Sequence, residues 1–166
     1  MGYIFVEDHV VPQIFTSAIE AYEFLHKNEK GKGTNRLETF GLLWGYSVQA
    51  KGNQPNKIIV TMATIETSAT RHTAWVKPDF ESLLMKKEFL ESYWPDIELV
   101  GTFHSHPYSN LQAVDAVSGW QASQGNGDVA FFPHFHKEIA TNQRNLAHLI
   151  VTITHLQRDR NSPPRS

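Results

Sequence analysis

The sequence predicts an α/β domain of the α+β type, in which a mixed, mostly antiparallel central sheet is flanked by helices. Two stretches have the apolar spacing of amphipathic helices, and they are separated by apolar runs with the period-2 alternation of strands. The chain has 166 residues, 40% of them hydrophobic, which is enough to bury one core. We therefore expect a single domain over residues 1–156, followed at 157–166 by a disordered tail or linker stub.

In the first half of the chain, the short apolar run 3–6 predicts a strand or an anchored terminus. A helix is expected from Pro12, because proline is tolerated in the first turn of a helix and apolar residues recur beyond it at helical spacing. The apolar run 36–49 predicts a strand, and the Ile- and Val-rich run 57–65 predicts its hairpin partner.

In the second half, Pro78 and Pro95 bound a second predicted helix. A strand of alternating apolar and polar residues follows and ends at Pro107. A short helix is expected to begin near Asp115. The polar stretch 124–145 is interpreted as an irregular connection, and the run 146–156 predicts the last strand.

Composition excludes several classes of protein. The chain has no cysteine, so disulfides and thiolate zinc sites are excluded, and any metal must be held by histidine and carboxylate. A formal net charge of −2 without a long basic run argues against a nucleic-acid partner. No stretch has the length and apolarity of a membrane span, and the first residues lack the pattern of a signal peptide. We therefore expect a cytoplasmic protein.

The most informative stretch is His104-Ser105-His106-Pro107. Residues i and i+2 of a strand point to the same face and lie roughly 6.5–7 Å apart, so both imidazoles can reach one divalent metal. Asp115, at the expected start of the next helix, could offer an oxygen ligand. Two histidines and one carboxylate leave the fourth position of a tetrahedral zinc open for water, which is typical of a catalytic site.

Glu38, followed by Gly41 and Gly45, completes a pattern that resembles the JAMM family of zinc metallopeptidases, also called MPN-plus or JAB. That family combines a distant Glu on a strand, glycines three and seven positions on, an H-x-H-P segment and a downstream Asp. The resemblance implies the family's cytidine-deaminase-like fold, a zinc cofactor and hydrolysis of a peptide or isopeptide bond. It also implies a protein substrate, often ubiquitin or a ubiquitin-like conjugate.

Carried over by position, the resemblance implies that zinc is ligated by His104, His106 and Asp115 and that Glu38 is the general base. The sequence departs from the family where a serine normally precedes the Asp by three residues, because Gln112 stands there. That serine helps to stabilise the oxyanion. Gln112 or the nearby Ser109 is therefore expected to supply the oxyanion donor.

Three alternatives stay open at this stage. The chain could be a non-catalytic MPN scaffold within a larger complex, or a non-haem iron enzyme, because two histidines and a carboxylate also form the iron facial triad. A second H-x-H pair, His134 and His136, is interpreted as polar loop histidines, with a substrate flap beside the zinc as the alternative. Oligomeric state is left open.

Overall fold

The computed structural model describes residues 2–27, 30–52 and 55–155. Along the chain, the strands and helices are β1 (Tyr3–Val6), α1 (Val10–Glu23), β2 (His26–Lys27), β3 (Gly33–Thr34), β4 (Phe40–Val48), β5 (Lys57–Ile65), β6 (Thr70–Arg71), β7 (Val76–Lys77), α2 (Phe80–Tyr93), β8 (Glu98–Pro107), α3 (Leu111–Val117), α4 (Asp128–Glu138) and β9 (Ala147–Ile153).

Five strands form the central sheet in the order β1-β5-β4-β8-β9. The two inner pairings, β5 with β4 and β4 with β8, are antiparallel, whereas both outer strands pair parallel to their neighbours. The remaining short strands form two ribbons, β2 with β3 and β6 with β7. The predicted mixed sheet flanked by helices is thus confirmed.

Helices cover both faces of this sheet. One face packs against α1 around buried residues such as Ile14, Leu43 and Phe103. The other face packs against α2 and α4 around Trp44, Leu83 and Phe135. Cover on both faces explains why most residues of β4 and β8 are buried, including the polar residues of β8.

A bulge in β5, where Thr61 has no partner in β4, explains one of the two glycines that follow Glu38. The register with β5 shifts between Trp44 and Gly45, and a Cβ on Gly45 would lie 1.8 Å from the carbonyl oxygen of Ile59. No side chain fits there, so glycine is required by the close approach of the two backbones.

Most of the predicted helices and strands are confirmed. The prediction of an irregular connection at 124–145 is wrong. Helix α4 occupies Asp128–Glu138 and contains Pro133. The polar composition and the proline made this helix unrecognisable from the sequence. The helix is stabilised by Phe135, which is fully buried in the core. The predicted tail at 157–166 lies outside the described residues. Among the residues that are described, no helix combines the length and apolarity needed to cross a membrane.

Candidate metal centre and active site

Strand β8 brings its two histidines together as the alternation predicts. His104 and His106 are both buried, and their Nε2 atoms lie 2.9 Å apart. Phe40 at the start of β4 pairs with His104, and β9 pairs on the other side through Ile150. The histidines therefore lie on a strand that is held from both sides.

The carboxylate that faces these histidines belongs to Asp128, the first residue of α4. Its Oδ1 lies 3.0 Å from His104 Nε2, and its Oδ2 lies 3.2 Å from His106 Nε2. Among the described residues, this trio is the group of side chains that could hold a metal ion. We call His104, His106 and Asp128 the His–Asp cluster.

The structure does not bring Asp115, the ligand predicted from the sequence, into this cluster. Helix α3 begins at Leu111, after Asn110 caps it by accepting from the Ala113 amide at 2.8 Å. Val114 is the residue that α3 buries. The next residue lies about 100° further around the helix, so Asp115 points into solvent and is exposed.

Asp128 is fixed by a reciprocal pair of bonds with Ser123. The Ser123 amide donates to Asp128 Oδ2 at 2.7 Å, and the Asp128 amide donates to Ser123 Oγ at 2.9 Å. A Cβ on Gly127 would lie 2.1 Å from Ser123 Oγ, so the turn before α4 needs glycine. These bonds orient the carboxylate toward the histidines and give the first amide of α4 an acceptor.

The backbone of residue 119 determines which nitrogen of His106 faces the cluster. His106 Nδ1 lies 3.0 Å from the Gly119 carbonyl oxygen, which can only accept, so Nδ1 carries the proton. The hydroxyl of Thr152 donates to the same oxygen at 3.0 Å. A neutral His106 therefore directs its Nε2 lone pair at His104 and Asp128.

The close approach of these atoms requires a proton or a metal ion between them, because the lone pair on His106 Nε2 otherwise faces a carboxylate oxygen. Burial alone would lower the pKa of His106, but its bonds to Asp128 and Gly119 outweigh burial and raise it. Burial alone would raise the pKa of Asp128, but its bonds to His104 and His106 hold that pKa well below its usual range. Either a proton on a ring nitrogen or a bound metal ion can separate these atoms electrostatically.

The spacing of the cluster fits a tetrahedral metal. Ligand atoms bound to zinc at about 2.0–2.1 Å lie roughly 3.3 Å apart at the corners of a tetrahedron. The three separations within the His–Asp cluster are 2.9, 3.0 and 3.2 Å. Only small movements would bring these atoms to zinc-binding distances.

The register of β4 against β8 also explains where Glu38 lies. Because Phe40 pairs with His104, the antiparallel register continues to place Glu38 opposite His106. Ser105 fixes the position of the segment that precedes β4, since its amide donates to the Thr39 carbonyl at 3.0 Å and its Oγ accepts from the Thr39 amide at 2.9 Å. The residue between the two histidines thus anchors the segment that carries the glutamate.

Glu38 is a buried carboxylate with an unusual pKa. Its residue is only 7% exposed, and burial raises the pKa of its carboxyl to about 7, with the charge of His106 opposing this shift and that of Asp128 adding to it. A carboxyl that exchanges a proton near neutral pH has the property required of a general base.

A cavity of about 360 Å³ opens beside Glu38 and the His–Asp cluster. Its wall includes Tyr108, Ser123 and Asn126, which all carry hydrogen-bond donors, and the aromatic ring of Trp75. The two predicted oxyanion donors do not line it, because Ser109 and Gln112 are exposed on the loop and helix that follow β8.

The second H-x-H pair does not form a metal site in the described part of the chain. His134 packs against Phe80, with the ring centres 5.1 Å apart, and His136 Nε2 lies 2.6 Å from the Gln143 carbonyl oxygen. Both residues belong to α4, so the interpretation as loop histidines is wrong about the backbone.

Asp128 and Ser123 are not among the residues predicted from the sequence. A usable signal was present, because the run Gly125-Asn126-Gly127-Asp128 has the composition of a turn that precedes a helix, and apolar residues follow it. Pro133 obscured that signal. Taken together, the side chains define a candidate His₂Asp metal centre with an adjacent glutamate. A comparison with models of known protein families and one with curated proteins gave no match.

Proposed function

We propose that this protein is a zinc-dependent metallopeptidase of the JAMM type that hydrolyses a peptide or isopeptide bond in a protein substrate. The observation that carries the proposal is the presence, in one cavity, of a His₂Asp cluster that can hold a metal ion and a buried glutamate with a pKa of about 7. The sequence pattern around Glu38 and the two histidines supports it independently.

In this proposal, zinc is held by His104, His106 and Asp128. The bound ion would polarise the scissile carbonyl and lower the pKa of water. Zinc also explains the donor set, because a chain without cysteine must bind it through imidazole and carboxylate.

Glu38 carries the proton transfers. As its ionised form accepts a proton from the attacking water, the water oxygen bonds to the acyl carbon, and the protonated Glu38 then gives that proton to the leaving nitrogen as the C–N bond breaks. No covalent intermediate on the protein is needed. The burial that raises the pKa of Glu38 makes both transfers accessible near neutral pH.

Two hydroxyl groups on the cavity wall replace the oxyanion donors expected from the sequence. Ser123 Oγ accepts from the Asp128 amide, which leaves its own hydrogen available. Burial and the charges of Glu38 and Asp128 raise the pKa of Tyr108, so its hydroxyl stays protonated. Either group can donate to the developing negative oxygen, and loss of such a donor typically costs about 10²–10³ in rate.

The substrate class proposed is a protein, with a ubiquitin-like conjugate as the first candidate. A non-catalytic scaffold would have no use for a buried glutamate whose burial is energetically costly. An iron oxygenase remains chemically compatible with the His₂Asp donor set, but the open mixed sheet covered by helices differs from the all-β barrel on which that triad usually sits.

The test begins with metal analysis of protein purified without added metal, which we expect to show zinc at about one equivalent per chain. Hydrolysis is then followed with ubiquitin joined to a fluorescent lysine peptide and with a mixed peptide library analysed by mass spectrometry. We expect a chelator to abolish cleavage, zinc to restore it, and Glu38→Gln to abolish it with zinc content unchanged.

Asp115→Asn is the matched control, because it removes the exposed carboxylate and leaves the cavity intact. Iron in place of zinc, or cleavage that survives Glu38→Gln, would contradict the proposal. Zinc binding without cleavage of any substrate would favour the scaffold instead.

A further inference from the structure

We infer that the outer edge of β1 is a self-association surface, on which a second copy of this chain pairs its own β1 antiparallel across a two-fold axis at Phe5. β1 is an edge strand of the central sheet and pairs on one side only, with β5. This inference does not depend on the proposed peptidase activity, since the edge is built from other residues.

The backbone hydrogen bonds show which groups of β1 are free. The Tyr3 amide donates to the Asn56 carbonyl and the Glu7 amide to the Val60 carbonyl, both at 3.0 Å. In a parallel ladder alternate residues bond to the same neighbour, so Tyr3, Phe5 and Glu7 face β5. The N–H and C=O groups of Ile4 and Val6 therefore point outward.

These outward groups have no backbone partner among the loop and turn bonds of the described residues. They are also arranged symmetrically about Phe5. In an antiparallel pair centred there, Ile4 would lie opposite Val6 of the second copy, and each such pair exchanges two hydrogen bonds. Two copies would thus satisfy all four N–H and all four C=O groups with the same patch used twice.

The side chains of β1 favour an apolar partner. Tyr3, Ile4 and Phe5 are 60%, 48% and 50% exposed, an unusual amount of apolar surface for one strand of four residues. The strand carries none of the features that usually protect an edge, such as lysine, proline or a bulge. Pairing would place the two Phe5 rings side by side at the axis.

Charge complementarity favours a second copy over an unrelated strand. The same register sets Glu7 of one copy opposite Tyr3 of the other. Tyr3 pairs within its own sheet with Lys57, so Glu7 of one copy and Lys57 of the other lie on one face with Tyr3 between them, about 9.6 Å apart, where opposite charges attract weakly. No residues of like charge are opposed, since the strand itself is uncharged.

Sedimentation velocity of the full chain over about 1–300 μM is the first measurement. A short strand pair is a small interface, so we expect a monomer–dimer equilibrium with a dissociation constant of roughly 1–100 μM. Ile4→Pro removes an outward N–H without breaking a bond to β5, and we expect it to be monomeric with an unchanged unfolding midpoint.

Cysteine cross-linking tests the register, because the natural chain has no cysteine. Phe5→Cys places two thiols at a non-hydrogen-bonded pair, where the Cα atoms are about 4.5 Å apart and a disulfide can form. In Ile4→Cys the two thiols are offset by two residues and too far apart to bridge. We expect a covalent dimer from Phe5→Cys under mild oxidation and none from Ile4→Cys.

Three results would overturn the inference. The first is a wild-type chain that stays monomeric over the whole concentration range. The second is association that persists in Ile4→Pro, which would place the contact elsewhere. The third is equal cross-linking of Phe5→Cys and Ile4→Cys, which would indicate random collision rather than strand pairing.

Discussion

Two buried glutamates in this protein have opposite electrostatic surroundings. Glu66 is 1% exposed and accepts from Lys86 Nζ at 2.8 Å and from the hydroxyls of Ser68 and Ser82. Burial alone would raise its pKa, but these bonds outweigh burial and lower it. Glu38 is almost as buried, yet burial dominates and raises its pKa to about 7.

The comparison separates a structural carboxylate from a reactive one. Every charge in the Glu66 cluster, which we define as Glu66, Ser68, Ser82 and Lys86, is compensated by a partner. The His–Asp cluster and Glu38 instead leave lone pairs and a carboxyl that only a cation, a proton or a substrate can satisfy. Stability and function are therefore expected to respond to different substitutions.

Removing the aspartate from the His–Asp cluster should have the largest effect. We expect Asp128→Asn to weaken zinc binding by more than about a hundredfold, because changes to groups that merely support a metal ligand already cost 10–100-fold. Isothermal titration with zinc measures this. Asp115→Asn is the matched control and should bind like the natural chain; the reverse result would restore Asp115 as the ligand.

Removing the carboxylate of the Glu66 cluster should instead reduce stability. We expect Glu66→Gln to lower the free energy of unfolding by about 2–3 kcal/mol at pH 7, because Lys86 loses its buried counter-charge. The pKa of Glu66 is lowered on folding, so this contribution is complete above pH 4.5 and is lost as the pH falls through the folded-state pKa. Urea unfolding at several pH values provides the measurement.

Zinc affinity of Glu66→Gln should equal that of the natural chain. A loss of zinc binding in this variant would show that the two regions are coupled and would remove the distinction between them.

A substitution at Gly119, whose carbonyl faces His106, should have an intermediate effect on zinc affinity. A Cβ on Gly119 would lie 2.5 Å from the Tyr108 ring, so Gly119→Ala must displace either that ring or the backbone whose carbonyl faces His106. We expect zinc affinity to fall by about 10–100-fold. Gly33→Ala, in the β2–β3 ribbon, serves as the control, and unchanged affinity in Gly119→Ala would mean that zinc binding tolerates the displacement at this position.

Removing the reactive glutamate should raise stability slightly. The unfolded chain loses the Glu38 proton near pH 4.5 and the folded chain near pH 7, so the folded state binds more protons between these values and its stability falls as the pH rises. We expect metal-free Glu38→Gln to be about 1–3 kcal/mol more stable than the natural chain at pH 8 and to match it at pH 4.

Thermal and urea unfolding in the presence of a chelator measure this difference. Loss of stability at pH 8 in Glu38→Gln would place Glu38 with Glu66 as a structural residue.

The two H-x-H pairs show why part of the site could be predicted from the sequence. On a strand, residues i and i+2 share a face, so the alternation around His104 and His106 was sufficient to predict convergence. On a helix the same spacing turns the side chains about 200° apart. His134 and His136 accordingly lie against Phe80 and Gln143, on different sides of α4.

Asp128 could not be chosen over Asp115 from local pattern alone. Both aspartates follow the H-x-H segment and both lie on helices, and the choice depends on which helix packs beside β8. That packing is decided by the burial of Phe135 at one end of α4 and by the turn that Ser123 and Gly127 form at the other. These are contacts between distant segments, which periodicity does not encode.

The residues of the His–Asp cluster come from both the sheet and a helix, which has a consequence for how these two elements are held together. Two of its members belong to β8, an inner strand of the sheet, and the third is the first residue of a helix whose regular bonding Pro133 interrupts. An ion bound by all three side chains would link the helix to the sheet. Metal binding should therefore stabilise the packing of α4 on the sheet, so that the residues around the cavity are more ordered in the metal-bound protein than in the metal-free protein.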